Sequence, residues 1–254
     1  MTYALYPSLA GRVTLVTGGA SGIGADIVAA FHANGARVAF LDIQEQAGAK
    51  LASELSVRGA EAMFLRCDVT DVVALRAAID GVRARLGPVG VLVNNAANDE
   101  RRAVEDVTPE FWRSSIDLNL SHQFFASQAV HSHMRELGGG AIVNLSSIAW
   151  HLGPPDMPAY AAAKAGVTAL THSLARKFGA DNIRVNAIEP GAVMTERQRR
   201  LWYKTPEAVE AMVQRQILKR DLLGEEIARA ALFLAADDSR MITKQTIVVD
   251  GGMR

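Results

Sequence analysis

Residues 12–24 read Arg12-Val-Thr-Leu-Val-Thr-Gly-Gly-Ala-Ser-Gly-Ile-Gly24, and their reading decides the fold. The first six are largely apolar and β-branched, a run whose length suits one buried strand. Gly18, Gly22 and Gly24 follow, and then a helical pattern runs through Phe31 to a stop at Gly35. Glycines between a strand and a helix let the backbone turn sharply and approach a pyrophosphate, whose charge the helix N-terminus favours. The spacing here is Gly-x-x-x-Gly-x-Gly rather than Gly-x-Gly-x-x-Gly, so a tight turn without a ligand is the alternative. The next strand, expected over 37–41, weighs against that alternative because it ends on Asp42. An acid about 20 residues past the glycines is placed to accept hydrogen bonds from an adenosine ribose. It also repels a 2′-phosphate, and no Arg or Lys lies between Gly18 and Gly24. The pattern favours NAD over NADP.

Outward from this unit the chain alternates. Further strands are expected over 62–66, 89–93, 141–145, 183–188 and 246–249, and helices over 44–57, 71–86, 108–136, from Pro158 onward, 206–217 and 224–235. Thr108-Pro109-Glu110 supplies a helix start. Asn94-Asn95-Ala96-Ala97 breaks the fourth strand, and Glu189-Pro190-Gly191 ends the sixth, opening an irregular polar stretch to about Thr205. Strands separated by helices of this length imply right-handed βαβ crossovers and a parallel sheet covered on both faces. The fold expected is one doubly wound, Rossmann-type α/β domain over residues 1–254, with a seven-stranded sheet. Its ligands belong outside the carboxyl ends of the strands. Asp68 would accept from an adenine amino group or cap a helix. Asn94 would stitch neighbouring strands or line the cleft.

The chemistry is concentrated in residues 144–164. The apolar run 141–145 leads into Ser146 and Ser147, then a Gly- and Pro-rich loop, then a helical pattern beginning at Pro158. Tyr160 and Lys164 stand at i and i+4 on one helix face, and Ser147 can be folded back against them. A phenol beside a fixed ammonium loses its proton more readily and can take one from an alcohol near neutral pH. A bare Tyr-x-x-x-Lys is commonly just an exposed helix face; the cofactor site that precedes it gives it weight.

Composition bounds the rest. A chain of 254 residues, 49% hydrophobic, can bury one sizeable core. Lys+Arg and Asp+Glu both total 27, so no global field draws the protein to nucleic acid or an anionic membrane. Cys67 is the only cysteine, which excludes an internal disulfide and suits a reducing compartment. No signal peptide or membrane span is visible, and a cytoplasmic location is the default expectation. His131 and His133, two apart on a predicted helix, point to different faces and make a poor metal pair; no metal is expected. The basic run 197–200 reads as a solvated or lid-forming loop.

Together these motifs resemble the short-chain dehydrogenase/reductase family over essentially the whole chain. Thr17-Gly18-Gly19-Ala20-Ser21-Gly22-Ile23-Gly24 matches its glycine motif, and Asn94-Asn95-Ala96-Ala97 matches its Asn-Asn-Ala-Gly motif, with Ala97 for the usual glycine. Asn119, Ser147, Tyr160 and Lys164 fall at the catalytic positions, and Pro190-Gly191 at the nicotinamide motif. The resemblance implies Tyr160 as acid/base, Lys164 lowering its pKa and holding the nicotinamide ribose, Ser147 orienting the reacting oxygen, and Asn119 supporting a water-borne proton relay. Ser146 is the rival for the serine role; the spacing to Tyr160 favours Ser147. The implied cofactor site comprises Gly18, Ser21, Gly22, Ile23, Gly24, Asp42, Asp68, Val69, Asn95, Tyr160, Lys164, Pro190, Gly191, Val193 and Thr195. A homotetramer is also implied.

Further segments are similar to bacterial D-xylose 1-dehydrogenases within that family: 6–9, 98–101, 148–153, and Arg197-Gln198 with Trp202-Tyr203. Those enzymes oxidise the anomeric carbon of an aldose to an aldonolactone. The substrate residues expected are Asn98, Ser147, His151, Tyr160, Glu189, Gln198 and Trp202, with Asp99 beside them. Their hydrogen-bonding groups suit a polyol better than a steroid or fatty acyl chain. The alternatives are another aldose (L-arabinose or D-galactose), a small polyol or a secondary alcohol. A cofactor-binding scaffold without turnover would not need the intact Asn119, Ser147, Tyr160 and Lys164.

Overall fold

Apolar residues alternate along nearly every strand, and each parity packs against a different set of helices. The computed structural model describes residues 3–57 and 61–254. Its strands are β1 (Val13–Thr17), β2 (Arg37–Asp42), β3 (Met63–Arg66), β4 (Val91–Asn94), β5 (Gly140–Leu145), β6 (Ile183–Pro190) and β7 (Thr246–Val249). They form one parallel sheet in the order β3-β2-β1-β4-β5-β6-β7. Val16, Phe40, Val93, Val143 and Ile188 point to a core shared with α1 (Gly22–Ala33), α2 (Glu45–Ser56) and α10 (Gly224–Ala235). Leu15, Leu41, Leu92, Ile142 and Val185 point to the opposite core, under α3 (Val72–Leu86), α5 (His122–Glu136) and α7 (Pro158–Phe178). A side-chain period of two, buried on both faces, is what makes these strands read as continuous apolar runs.

Two expected stretches differ in kind from what forms. The helix expected over 108–136 is α4 (Pro109–Ile116), one widened turn of π-helix (Asp117–Ser121), and α5. Such single-turn bulges occur mostly inside helices at functional sites, and this one carries Asn119, 1% exposed. The stretch 190–205, expected to be irregular, contains the helix α8 (Glu196–Leu201). Thr195 caps it, its hydroxyl accepting from Gln198 N at 3.2 Å, and Thr-x-x-Gln is the sequence signature of such a start. α6 (Ala149–Leu152) is a single turn stopped by Gly153 at φ 58°, and α9 (Pro206–Val213) ends four residues short of the expected 217. Strand β4 is shifted to begin at Val91 rather than 89.

Candidate active site

The carboxyl ends of the strands open onto one cleft of about 1760 Å³, lined by every expected site residue except His151 and Glu189. Its floor is the glycine loop. Gly18 adopts φ +65°, and a Cβ there would lie 2.7 Å from Ala96 Cα. A Cβ on Gly24 would overlap the Gly18 carbonyl oxygen and approach Asn95 Nδ2 to 2.6 Å. The loop is braced from β4: Asn95 Nδ2 donates to the carbonyls of Thr17 (3.0 Å) and Gly18 (2.8 Å), while Thr17 Oγ1 accepts from the amides of Asn95 and Ala96. The N-terminus of α1 is thereby held bare towards the cleft, the arrangement that suits a phosphate.

Asp42, 7% exposed, is fixed by two backbone donors, Ala20 N to Oδ2 and Gln44 N to Oδ1, both at 3.0 Å. Oδ1 also accepts from Gln44 Nε2 at 3.3 Å, so Oδ2 is the oxygen that keeps a lone pair for a ribose hydroxyl. Lys50 lines the same end of the cleft but pairs with Glu54 at 3.9 Å. These residues fit a pyridine dinucleotide: the glycines let the loop pack closely on itself and on β4, leaving its backbone free to approach a pyrophosphate. Asp68 accepts from Thr70 N and Oγ1 through Oδ1, while Asp71 caps α3 through Val73 N and Ala74 N. The capping role therefore falls three residues beyond Asp68. Asn94 stitches, donating to Asn144 Oδ1 at 2.9 Å and Ser127 Oγ at 3.2 Å.

Past the floor lie Ser147, Tyr160, Lys164 and Asn119. Ser147 Oγ accepts from Ala149 N at 3.1 Å, and its hydroxyl hydrogen-bonds Tyr160. Ser146 is turned away, donating to the Lys164 carbonyl at 2.7 Å and lying 3.3 Å from Thr168 Oγ1. Lys164, 1% exposed, donates from Nζ to the Leu145 carbonyl at 2.8 Å, with Nζ 5.5 Å from the Tyr160 ring centroid. Asn119 clamps one residue of the neighbouring loop, accepting from Asn98 N at 2.9 Å and donating to Asn98 O at 3.1 Å.

The electrostatics depart from the simple expectation that Lys164 lowers the Tyr160 pKa. Burial pushes the phenol above its ordinary value, the Asp99 carboxylate adds to that, and Ser147 and Arg197 oppose it. Burial likewise pulls Lys164 down to about 7, with Asp99 acting the other way. Desolvation disfavours both charged forms, so an ammonium that is itself only marginally charged does little for the phenolate.

One wall of the cleft is a latch between α8 and the loop after β4. Arg197 pairs with Asp99 and donates to Asn98 Oδ1 at 2.7 Å. Gln198 Nε2 donates to Asp99 Oδ2 at 2.6 Å. The Arg101 guanidinium lies 4.3 Å over the Trp202 ring. At its other end Thr195 stands 3.3 Å from where a Gly22 Cβ would be. Arg197 is thus part of the latch; the Thr-x-x-Gln start marks the helix that carries it but not its partner.

His151 and Glu189 are a correction. They were expected at the substrate, but both lie in a separate pocket of about 380 Å³ on the far side of α6. Glu189, 1% exposed, accepts from Trp150 Nε1 at 2.8 Å and Thr168 Oγ1 at 3.2 Å, and lies 2.9 Å from His151 Nε2. The carboxylate is engaged within that pocket and does not line the cleft. His131 and His133 also sit apart, the former on Asp181 at 2.8 Å and the latter at Val89 N. No helix among the described residues is long and apolar enough to cross a membrane.

Residues 18–254 match the sequence family described as enoyl-(acyl carrier protein) reductase. The chain is 51% identical to a protein of Rhizobium meliloti named as a probable galactose dehydrogenase, over 98% of this chain and 97% of that one. It is 44% identical to a D-xylose 1-dehydrogenase of Caulobacter vibrioides over the full length of both. Among solved structures it superposes on a short-chain type dehydrogenase/reductase from Mycobacterium ulcerans with a TM-score of 0.91, at 31% identity, covering 97% of this chain and 90% of the other.

Proposed function

The chain belongs to the short-chain dehydrogenase/reductase family, and from that premise we propose that it oxidises an aldose, a pentose such as D-xylose, at the anomeric carbon to the aldonolactone, using NAD. The observation that carries the sugar reading is the polar rim formed by Asn98, Asp99, Arg197 and Gln198 beside Tyr160, which offers donors and a carboxylate acceptor at closely spaced points. A ring-form sugar presents several hydroxyls that can replace these mutual contacts, whereas an apolar substrate would leave buried polar groups unmatched. Trp202, half-buried at the same rim, can cover the apolar face of the sugar. The relatives named for xylose and galactose support the class of substrate, and D-galactose is the second reading because the relative named for it is 51% identical.

The reading of NAD rather than NADP rests on Asp42, whose carboxylate faces the cleft, and on Lys50, the basic residue at that end, being paired with Glu54. When bound, the nicotinamide accepts the hydride from the carbon being oxidised. The chain supplies the rest. Tyr160 takes the hydroxyl proton, Ser147 holds the reacting oxygen through the hydroxyl that now bonds Tyr160, and Lys164 holds the ribose end of the site. Asn119, clamped to Asn98, keeps the rim loop in register with these groups. Residues 190–205, with α8 at their centre, act as the cover over the substrate. A homotetramer built on α5 and α7 agrees with the exposure of Phe124 (37%) on α5. A cytoplasmic location suits the free thiol of Cys67.

The test is NADH absorbance across aldopentoses, aldohexoses, polyols and secondary alcohols, with the lactone followed before it hydrolyses. NADH from an aldose is the expected result. Turnover confined to simple secondary alcohols, with none from any aldose at millimolar levels, overturns the sugar reading and leaves the family assignment standing.

A further inference from the structure

Three elements must meet for the reaction: the serine turn after β5, the helix α7 bearing Tyr160 and Lys164, and the end of β6 at Pro190-Gly191. Behind the cleft, on the side away from substrate, a single buried side chain touches all three. Glu189 belongs to β6, directly before Pro190. Its Oε1 accepts from Trp150 Nε1 (2.8 Å) on α6, the turn that follows Ser147, and from Thr168 Oγ1 (3.2 Å), one turn beyond Lys164 on α7. Its Oε2 meets His151 Nε2 at 2.9 Å, with the Arg254 guanidinium at 3.6 Å and also in contact with the His151 ring. We propose that Glu189 is a positioning residue of the dehydrogenase, which sets the Ser147–Tyr160 geometry by tying α6, α7 and β6 together, with Arg254 as its counter-charge.

The connection to the reacting groups is short. α6 begins at Ala149, whose amide is the donor that fixes the Ser147 hydroxyl oxygen at 3.1 Å. The next residues along that turn, Trp150 and His151, end on Glu189. Thr168 in turn contacts Ser146, which donates to the Lys164 carbonyl. Main-chain ties also join the elements, Ile148 N to the Pro190 carbonyl at 3.1 Å and Ser146 N to the Ile188 carbonyl at 2.8 Å. They fix the strand ends but not the rotation of α6. A carboxyl group with four partners is costly to bury unless every partner is present, so the arrangement is stiff. Losing Oε1 leaves the Trp150 indole without its acceptor, and losing Oε2 removes the partner of His151 and Arg254; either loss frees the turn. Remote loosening matters because misplacing a reacting group by about 1 Å can cost as much as 10²-fold in rate.

Glu189→Gln keeps the volume but sets an amide donor against the Trp150 indole or the Arg254 guanidinium, neither of which can accept. It should lower kcat about tenfold, within the range of an ångström-scale misplacement, while the NAD dissociation constant and thermal midpoint stay near wild type. Because it acts through Ser147, its effect should vanish in a Ser147→Ala background, the double variant being within about twofold of the single. A merely structural residue would lower the midpoint and give losses that multiply. Arg254→Ala, at a half-exposed partner, should reproduce the same coupling more weakly and serves if Glu189→Gln does not fold. Hydrogen–deuterium exchange of the amides of residues 148–153 should quicken in both variants relative to wild type. That readout needs no turnover, so it stands whichever alcohol the enzyme oxidises. Unchanged exchange at 148–153, or losses that multiply with Ser147→Ala, overturns the proposal.

Discussion

Lys164 offers a test of the site's electrostatics that requires no substrate. The ammonium is 1% exposed, with the Leu145 carbonyl as its hydrogen-bond acceptor at 2.8 Å. Burial pulls its pKa to about 7, against an opposing pull from Asp99. In the unfolded chain a lysine titrates near 10.4. Between those two values the unfolded chain binds up to one more proton than the folded one, so stability rises with pH across that window, by at most about 1.4 kcal/mol per pH unit. Below pH 7 the penalty for holding the buried ammonium is complete; above about 10.4 it is gone. Lys164→Met keeps the aliphatic stem and removes the charge. Its stability advantage over wild type should be largest at pH 6 and should shrink by roughly 2–3 kcal/mol between pH 7 and 9. The assay is urea unfolding of both proteins, free of cofactor, at pH 6, 7, 8 and 9. Tyr160, which burial pushes upward, is present in both and cancels to first order. A wild-type-minus-variant difference that stays flat with pH would mean the folded lysine remains charged throughout, and the account of the site as one that stores its lysine near neutrality fails.

Tyr160→Phe should lower kcat by roughly 10²–10⁴-fold, the worth of a general base, with NAD binding by fluorescence titration little changed; near-normal turnover would remove Tyr160 from the role. Asp42→Ala should weaken NAD and raise the NADP-to-NAD ratio of kcat/KM, and a wild type that already prefers NADP at equal salt refutes the reading of that carboxylate. Arg197→Gln removes a charge that lowers the Tyr160 pKa while leaving Asp99, which raises it. Since the base must be deprotonated to act, the acid limb of kcat/KM should move to higher pH, and a shift to lower pH would contradict the sign.

Much of the fold was legible because both sheet faces are covered. Apolar strands such as Leu15-Val16 and Ile142-Val143 can only be central when both parities are buried, and the intervening segments have helical length. Local chemistry marked the rest of the site: glycines where a side chain would meet Ala96 or the Gly18 carbonyl, and an acid at the end of β2. What spacing alone could not carry was the turn of π-helix at Asn119, since a bulge of one turn leaves the apolar pattern of α4 and α5 nearly intact. Nor could it give the Asp99–Arg197 contact, which joins residues 98 apart in sequence. The effect of Lys164 on Tyr160 needed the depth of both groups, and sequence carries no dielectric.

The misplacement of Glu189 is the more instructive failure, because a signal was present. Nearness to a strand's carboxyl end suggests that a polar side chain faces the ligand, yet side chains alternate along a strand. Val185 of β6 packs with Leu174 and Phe178 of α7, and Ile188 packs with the opposite core. Counting by twos from Val185 sends Glu189 to the α7 side, where Thr168 stands. Nearness to Pro190 argued for substrate; parity argued for support. Parity should have won, since a position within the strand has a fixed face, whereas only residues past its end are free to turn into the cleft. By the same reasoning Asn98, beyond β4, and Gln198, beyond β6, remain the better candidates for the substrate. A carboxylate one residue short of such a strand end is read first as a brace between the elements that carry the catalytic groups.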